Sequence, residues 1–327
     1  MFNGCKSLTS VVLDNNTTSI GYYCFSSCLA LNSINFPSGV TSVGASAFRD
    51  CSSLTIDASN LSNIKTFYND TFRGSKITGT LTLSGNVSMG SSCFDRTNIS
   101  SVDLSATTLE DVSWGCFSDC ANIISVSLPT TMTHIRGESF MRDSALTTVN
   151  FSSLTSLTRL GENAFRSCGN LTATSSDIQN IEIFDACCLR DTNISGDLVL
   201  PNITSIDNEA FWGTKITSCD FTGSTFTKLS TQVFRYCSSL DHLIVNASVT
   251  QLGEEIVANC NNLRYIKFLG TTVPTQQSNN SFGGMNNNVK IYVPDAALSD
   301  YQSASGWSNY SNRIFPMSQF ATDFPNG

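Results

Sequence analysis

A chain of 327 residues with a net charge of −8, 40% hydrophobic and only 13% charged, has the apolar content to build a core. It lacks the clustered Lys and Arg that binding a polyanion requires, which excludes nucleic acid as a partner class. No apolar run approaches the roughly 18 residues needed to cross a bilayer, and no basic stretch followed by an apolar one marks a signal peptide at the N-terminus.

From Phe2 onward one pattern returns almost to the end of the chain. Aligned on its anchor it recurs at Phe2, Phe25, Phe48, Phe72, Phe94, Phe117, Phe140, Phe165, Leu189, Phe211, Phe234 and Val257, at intervals of 22–25 residues. A period that steady predicts a solenoid with one coil per repeat. Met1 directly precedes the first anchor, half-way through a coil, so the expectation is a fragment or a first coil covered by something else.

Each coil repeats one physical logic. The anchor fills the interior, and a small residue three positions on (Cys5, Cys28, Cys51, Ser75, Thr97) allows a tight turn and a bond to a neighbouring coil. An alternating stretch such as Ser125-Val126-Ser127-Leu128 follows, with one set of side chains inward and the other outward. A second apolar point lies five residues before the next anchor: Ile20, Val43, Phe67, Met89, Val112 and their successors.

Thirteen cysteines would ordinarily prompt a disulfide framework. Eleven of them sit in two registers, three residues after the anchor or one before it, where other coils carry Ser, Thr or Ala. The shared property is small size, which predicts buried thiols acting as small hydrophobes. One thiol per coil does not converge into a metal site, so no metal or other cofactor is expected.

Matching residues also recur at a longer distance. Phe48 and Phe165, Phe94 and Phe211, and Phe117 and Phe234 are each 117 residues apart, as a duplicated five-coil block would leave them. The solenoid is expected over residues 1–268. Beyond it, 270–288 reads as loop, Val289–Val293 as a strand and Ala296–Ala304 as a short helix closed by Gly306. A solenoid's last coil exposes an apolar edge, so 269–327 is expected to form a cap. Trp307 and Tyr310 leave a carbohydrate-binding appendage as the alternative.

The consensus I-G-x-x-A-F-x-x-C-x-x-L-x-x-I-x-L-P resembles the BspA-type leucine-rich repeat, best in Val43-Gly44-Ala45-Ser46-Ala47-Phe48-Arg49-Asp50-Cys51 and in Leu160-Gly161-Glu162-Asn163-Ala164-Phe165-Arg166-Ser167-Cys168. Leu189 and Val257 depart at the anchor, and Asp143 departs at the small site. The resemblance implies a leucine-rich-repeat solenoid, mainly β with short helical turns, of about twelve coils plus a cap. It further implies a cell-surface or secreted location of the kind found in anaerobic gut and oral bacteria. The tail is similar to those closing such arrays in Bacteroidetes proteins. The family's characterised members look like adhesins that bind host matrix proteins or other cells, and no catalytic residue is implied.

Enzymatic chemistry finds little purchase. His134 and His242 are the only histidines, and no HExxH, GxSxG, CxxC or phosphate-cradling loop occurs. His134 reads as a solvated surface residue, and in Cys187-Cys188 one thiol is expected inward and one outward. Two surface rows remain. Arg49, Arg73, Arg166, Arg190 and Arg235 follow their anchors directly, interleaved with Asp, and read as a salt-bridged ridge or an anionic-glycan site. The outward face of the main strand is small and polar early in the chain but becomes His242, Ile244, Tyr265 and Lys267 near its end. That composition resembles a binding hot spot, unless the C-terminal segment 289–315 covers it.

The sequence thus predicts a non-enzymatic adhesion or protein-interaction module for a host matrix protein, surface protein or glycan. A structural assembly element, a filament or phage appendage packing through the N-terminal edge at Phe2, Cys5, Leu8 and Val11, is the alternative. A glycan-binding surface protein is the third reading.

Overall fold

The computed structural model describes residues 2–325, in two compact units that divide between Leu171 and Thr172. Both are parallel β-solenoids with few, short helices.

In the first unit the main sheet pairs Thr55–Asp57, Lys76–Gly85, Asn98–Thr107, Ser125–Ser127 and Thr148–Val149 in parallel. The alternation seen in sequence sorts the faces: Leu81, Leu83, Val102 and Leu104 are buried, while Thr80 and Ser101 meet outside at 2.8 Å. The second apolar points lie in two-residue strands, and they too stack in register, Ile20 on Val43 on Phe67 on Met89 and Val112 on Ile135 on Leu160. Between these strand rows runs the anchor column. From Phe2 to Phe165 successive rings lie 5.3–5.6 Å apart and within 19° of parallel. No coil buries its own ring; each needs the coil on either side.

The small site does what its size suggests. Cys28, Cys51, Cys120 and Cys168 donate their thiols to the anchor carbonyls of Phe2, Phe25, Phe94 and Phe140 at 2.9–3.1 Å, and the Ser75 hydroxyl donates to that of Phe48 at 2.6 Å. A thiol that donates must stay protonated, and burial pushes that of Cys51 up to about 12. All thirteen cysteines are thiols, ten of them buried, with Cys188 inward and Cys187 half-exposed as its register required.

From Phe25 to Val257 each anchor is flanked by two left-handed residues, two before it and two after it, which fold the chain around the anchor side chain. Ser46 and Asp50 flank Phe48, and Asp70 and Gly74 flank Phe72. Short polar residues and Gly dominate these places because a Cβ there meets the following carbonyl.

In the second unit the main sheet runs Ser195–Val199, Lys215–Asp220, His242–Val245, Tyr265–Phe268, Lys290–Val293 and Ile314–Pro316, all parallel. The segment expected as loop, 270–288, is therefore a further coil. Thr275–Gln276 pairs with Gln251–Leu252, and Phe282 is buried just before a left-handed Gly284. Sequence periodicity missed it because Gln and Asn replace the usual apolar point and no Cys follows the ring. The helix falls at Leu298–Ser303, after the short turn Asp295–Ala297.

Trp307 speaks against the carbohydrate-binding alternative. It is fully buried, packs on Phe268, Phe282 and Tyr301 with centroids 4.8–5.1 Å away, and donates its indole N–H to the Pro274 carbonyl at 2.7 Å. Tyr310 leans on Phe282 at 5.3 Å. Trp307 is core of the terminal coils and offers no platform for a sugar, and Tyr310 is half-buried.

The offset of 117 residues reappears in local geometry. Ala58–Leu61 and Ser175–Ile178 are both short helical segments that bury a Leu or Ile at their last residue. Gly79 and Gly196, with φ of 80° and 86°, sit at matching bulges where the strand register slips. A side chain at either would be strained in that left-handed conformation.

Candidate functional site

The four residues expected to form a strand-face patch are brought together. His242 pairs in register with Tyr265, and Ile244 with Lys267. The His242 ring stacks on Tyr265 at 4.9 Å, and its Nδ1 meets Asp241 at 2.9 Å. The patch is nevertheless not open, because Tyr265 is only 3% exposed.

Residues 315–324 form a strap over it. Phe320 and Phe324 each approach Tyr265 at 4.8 Å, and Phe320 also packs on Tyr292. The Lys267 ammonium lies 3.3 Å from the Phe320 ring centre, and burial lowers its pKa. Asp323 fastens the strap by accepting from the Tyr292 hydroxyl and pairing with Lys290 at 3.0 Å. An aromatic row on a sheet's outer face is itself apolar surface, and the chain covers it with its own C-terminal rings. Tyr265 is thus withdrawn as a contact residue, while His242, Ile244 and Lys267 remain half-exposed.

The arginine row exists in both units, and most of its charge is spent internally. Arg49 meets Asp50 at 3.4 Å, and Arg73 meets Asp70 at 3.2 Å and Asp95 at 2.8 Å. Arg166 bonds the Asn163 side chain at 3.3 Å. An exposed pair such as Arg49–Asp50 contributes about 0–1 kcal/mol and orders side chains more than it stabilises the fold, whereas Asp95 is buried.

In the second unit the row changes character. Arg190 pairs with Glu209 and, at 3.4 Å, with Asp191; Arg235 pairs with Glu255, which Gln232 also holds at 2.8 Å. Both guanidinium groups flank the Trp212 ring, at 4.3 and 4.9 Å from its centre. Tyr236 completes the group, 5.2 Å from Trp212 and 5.1 Å from the Arg235 guanidinium, with 46% of its surface exposed. The result is a braced ridge in which guanidinium groups lie against two aromatic rings tilted 50° to each other, with the arginine charges compensated.

Sequence reasoning found Arg190 and Arg235 but not Trp212 and Tyr236. The signal was present: Trp212 occupies the arginine register directly after its anchor Phe211, and Tyr236 lies two after Phe234. Reading the row by charge instead of by position concealed them. Tyr236 also has φ of 62°, at a turn site that favours Gly, Asn, Asp or Ser. Among the described residues no group of three or more His, Cys, Asp or Glu could hold a metal ion, and no helix is long and apolar enough to cross a membrane.

The repeat geometry has a counterpart among known proteins. The family described as BspA type leucine rich repeat region matches in six copies, over residues 1–111, 58–172, 87–201 and 173–288. The chain belongs to the BspA-type leucine-rich repeat family. No curated protein sequence matches it. A leucine-rich repeat protein from Bacteroides ovatus, known from its crystal structure, superposes with a TM-score of 0.63 at 18% identity, covering 96% of this chain and 85% of that one. That likeness shows the fold alone. A leucine rich cell surface protein from Faecalibacterium prausnitzii is 20% identical over 91% of this chain and 83% of its own, with a TM-score of 0.49. The pneumococcal vaccine antigen PcpA is 14% identical over 94% and 77%, with a TM-score of 0.48. At those scores the two add nothing to the fold assignment. Leucine-rich repeats of this type are consistent with protein–protein interaction.

Proposed function

We propose that this BspA-type protein is a non-enzymatic, surface-displayed adhesion module that holds a protein partner through the ridge of Arg190, Trp212, Arg235 and Tyr236. The observation that carries the reading is the cluster itself, two guanidinium groups within 5.1 Å of the Trp212 and Tyr236 ring centres. Trp, Tyr and Arg are the residues that dominate binding energy at protein interfaces, and here they are held in place before any partner arrives. Bracing by Glu209 and Glu255 lowers the entropy lost on docking, which is where preorganised surfaces gain affinity. Compensated charge favours a protein surface over an anionic glycan, which would need free cations. Membership of the repeat family supports display outside the cell, with a host matrix or cell-surface protein as partner.

The test is biolayer interferometry of the full chain against a panel of extracellular-matrix proteins, comparing the parent with Trp212→Ala and Tyr236→Ala. Loss of binding by at least about tenfold in both variants is expected, since removing a hot-spot residue costs about 2 kcal/mol or more. Binding that both variants retain in full defeats the assignment.

Assembly through the N-terminal edge is the second reading. Val12 is 88% exposed and Phe2 is 41% exposed beside the two-stranded pairing of Ser10–Val11 with Ser33–Ile34. Concentration-dependent sedimentation abolished by Val11→Lys would favour it.

A further inference from the structure

The first unit carries a second surface whose chemistry differs from the ridge. Trp114 follows the strand Asp111–Val112, of which Val112 is buried, and leaves 44% of its surface exposed. Its benzo edge rests on the next coil at Gly137, where an added Cβ would lie 2.4 Å from the indole carbon Cζ3. Glycine at 137 thus gives the ring a flat backbone seat. Its indole N–H has no hydrogen-bond partner among the described residues.

Beside the ring is an open groove of about 430 Å³, within the range of small-ligand sites, roughly 300–1,000 Å³. Val87, Met89 and Leu109 supply an apolar floor, and polar groups stand around it. Asp111 and Arg136 are paired across one coil step at 2.9 Å. Glu110 enters no ion pair among the described residues.

We propose that this groove binds a neutral pyranose, one ring of a glycan chain, stacked on Trp114. Three features select that ligand class. The indole, 44% exposed, offers apolar ring area to a flat C–H face, while its unpartnered N–H and the polar groove side chains can bond hydroxyls. Glu110 and Asp111 accept hydrogen bonds and Arg136 donates them, which suits hydroxyls that do both. With one arginine already paired and two carboxylates, the groove repels phosphate and sulfate. A quaternary ammonium ion would call for a cage of several aromatic faces, and only one is present. The inference is independent of the protein-binding ridge, since the two surfaces share no residue and lie in different units.

Fluorescence gives a direct readout. Of the three tryptophans Trp307 is fully buried, so in the full chain carrying Trp212→Phe the ligand-responsive emission comes from Trp114. The variant is titrated with glucose, galactose, mannose, N-acetylglucosamine, mucin glycans, laminarin and mannan, with choline and inorganic phosphate in parallel. A saturable change with at least one neutral sugar or its polymer is expected. In affinity electrophoresis Trp114→Ala should weaken retention at least about tenfold, the scale on which loss of one stacked ring registers. Glu110→Gln with Arg136→Ala, which keeps the ring, should also weaken it. The proposal fails if no sugar produces a saturable change, if only choline or phosphate does, or if the Trp114 variant is retained like the parent while Tyr236→Ala is not.

Discussion

Replacing Asp143 with cysteine should stabilise the protein, and more so at pH 8 than at pH 5. Asp143 occupies the small site of its coil, where neighbouring coils carry thiols or hydroxyls, and it is fully buried. Its Oδ1 accepts from the Cys120 amide at 2.8 Å, but Oδ2 has no partner. Burial pushes the carboxyl well above its ordinary value, with Asp119 and Asp95 adding to the rise and the Cys120 amide and Arg142 opposing it. The folded state therefore holds a proton that the unfolded chain releases near pH 4. Stability is complete below that point and falls as pH climbs through the raised value.

A cysteine would restore the pattern of the other coils. There the Phe48 carbonyl accepts both the Cys51 amide and the Ser75 hydroxyl, so the Phe117 carbonyl can take the Cys120 amide and the new thiol together. The amide bond lost with Asp143 is thereby replaced, and what remains is relief of the orphaned oxygen, about 1–3 kcal/mol. Urea unfolding followed by circular dichroism at pH 5, 6.5 and 8 measures it, compared by midpoint because long repeat arrays need not be two-state. The reasoning is refuted if the variant unfolds at lower urea than the parent at pH 8. It is equally refuted if the difference between them is the same at all three pH values.

Truncating an internal ring, Phe94→Ala or Phe117→Ala, should cost about 3–5 kcal/mol, because each is sandwiched between two parallel neighbours; the same urea assay reads it. A thiol reagent should modify Cys5 rapidly in the native protein and leave the ten buried thiols unreactive until denaturant is added, counted by mass spectrometry. Phe320→Asp should release the strap from Tyr265 and Tyr292, seen as new binding of a hydrophobic dye with little change in the unfolding midpoint.

The architecture was legible because it repeats. Twelve anchors in register, an apolar residue five places before each new anchor, and alternating strand residues define a coil before any coordinate is known, and the rings stack as that period requires. What escaped notice lay where the period weakens. The coil around Phe282 lacks the usual cues, so it reads as loop until the pairing of Thr275–Gln276 shows otherwise. Tyr265 looked like a contact residue because outward alternation says only that a side chain leaves the core. It cannot say that Phe320 and Phe324, more than fifty residues later, return to cover it. Trp212 and Trp114 were readable as positions but not as sites, since a cluster or a groove depends on which coil lies alongside. We infer that the five-coil block was duplicated, and neither surface is repeated because the two copies carry different residues at the matching positions. Trp114 has its counterpart 117 residues on at Thr231, and Trp212 lies 117 residues after Asp95, so each aromatic surface belongs to one copy alone.

Tyr236 separates a ridge built for binding from one built for support. Holding a tyrosine in a left-handed conformation costs on the order of 1–2 kcal/mol, a cost that asparagine at the same turn position largely avoids. Against that, Tyr236→Asn loses an aromatic contact with Trp212 and a half-exposed cation–π contact with Arg235, together about 1–2 kcal/mol. The two terms offset each other, so the variant should unfold within about 1 kcal/mol of the parent while losing partner binding, read by urea titration and by interferometry on the same preparation. Were Tyr236 a structural brace, the contact term would dominate and the midpoint would drop with binding intact. A strained tyrosine whose removal leaves stability level and abolishes binding is retained for what it touches outside the chain.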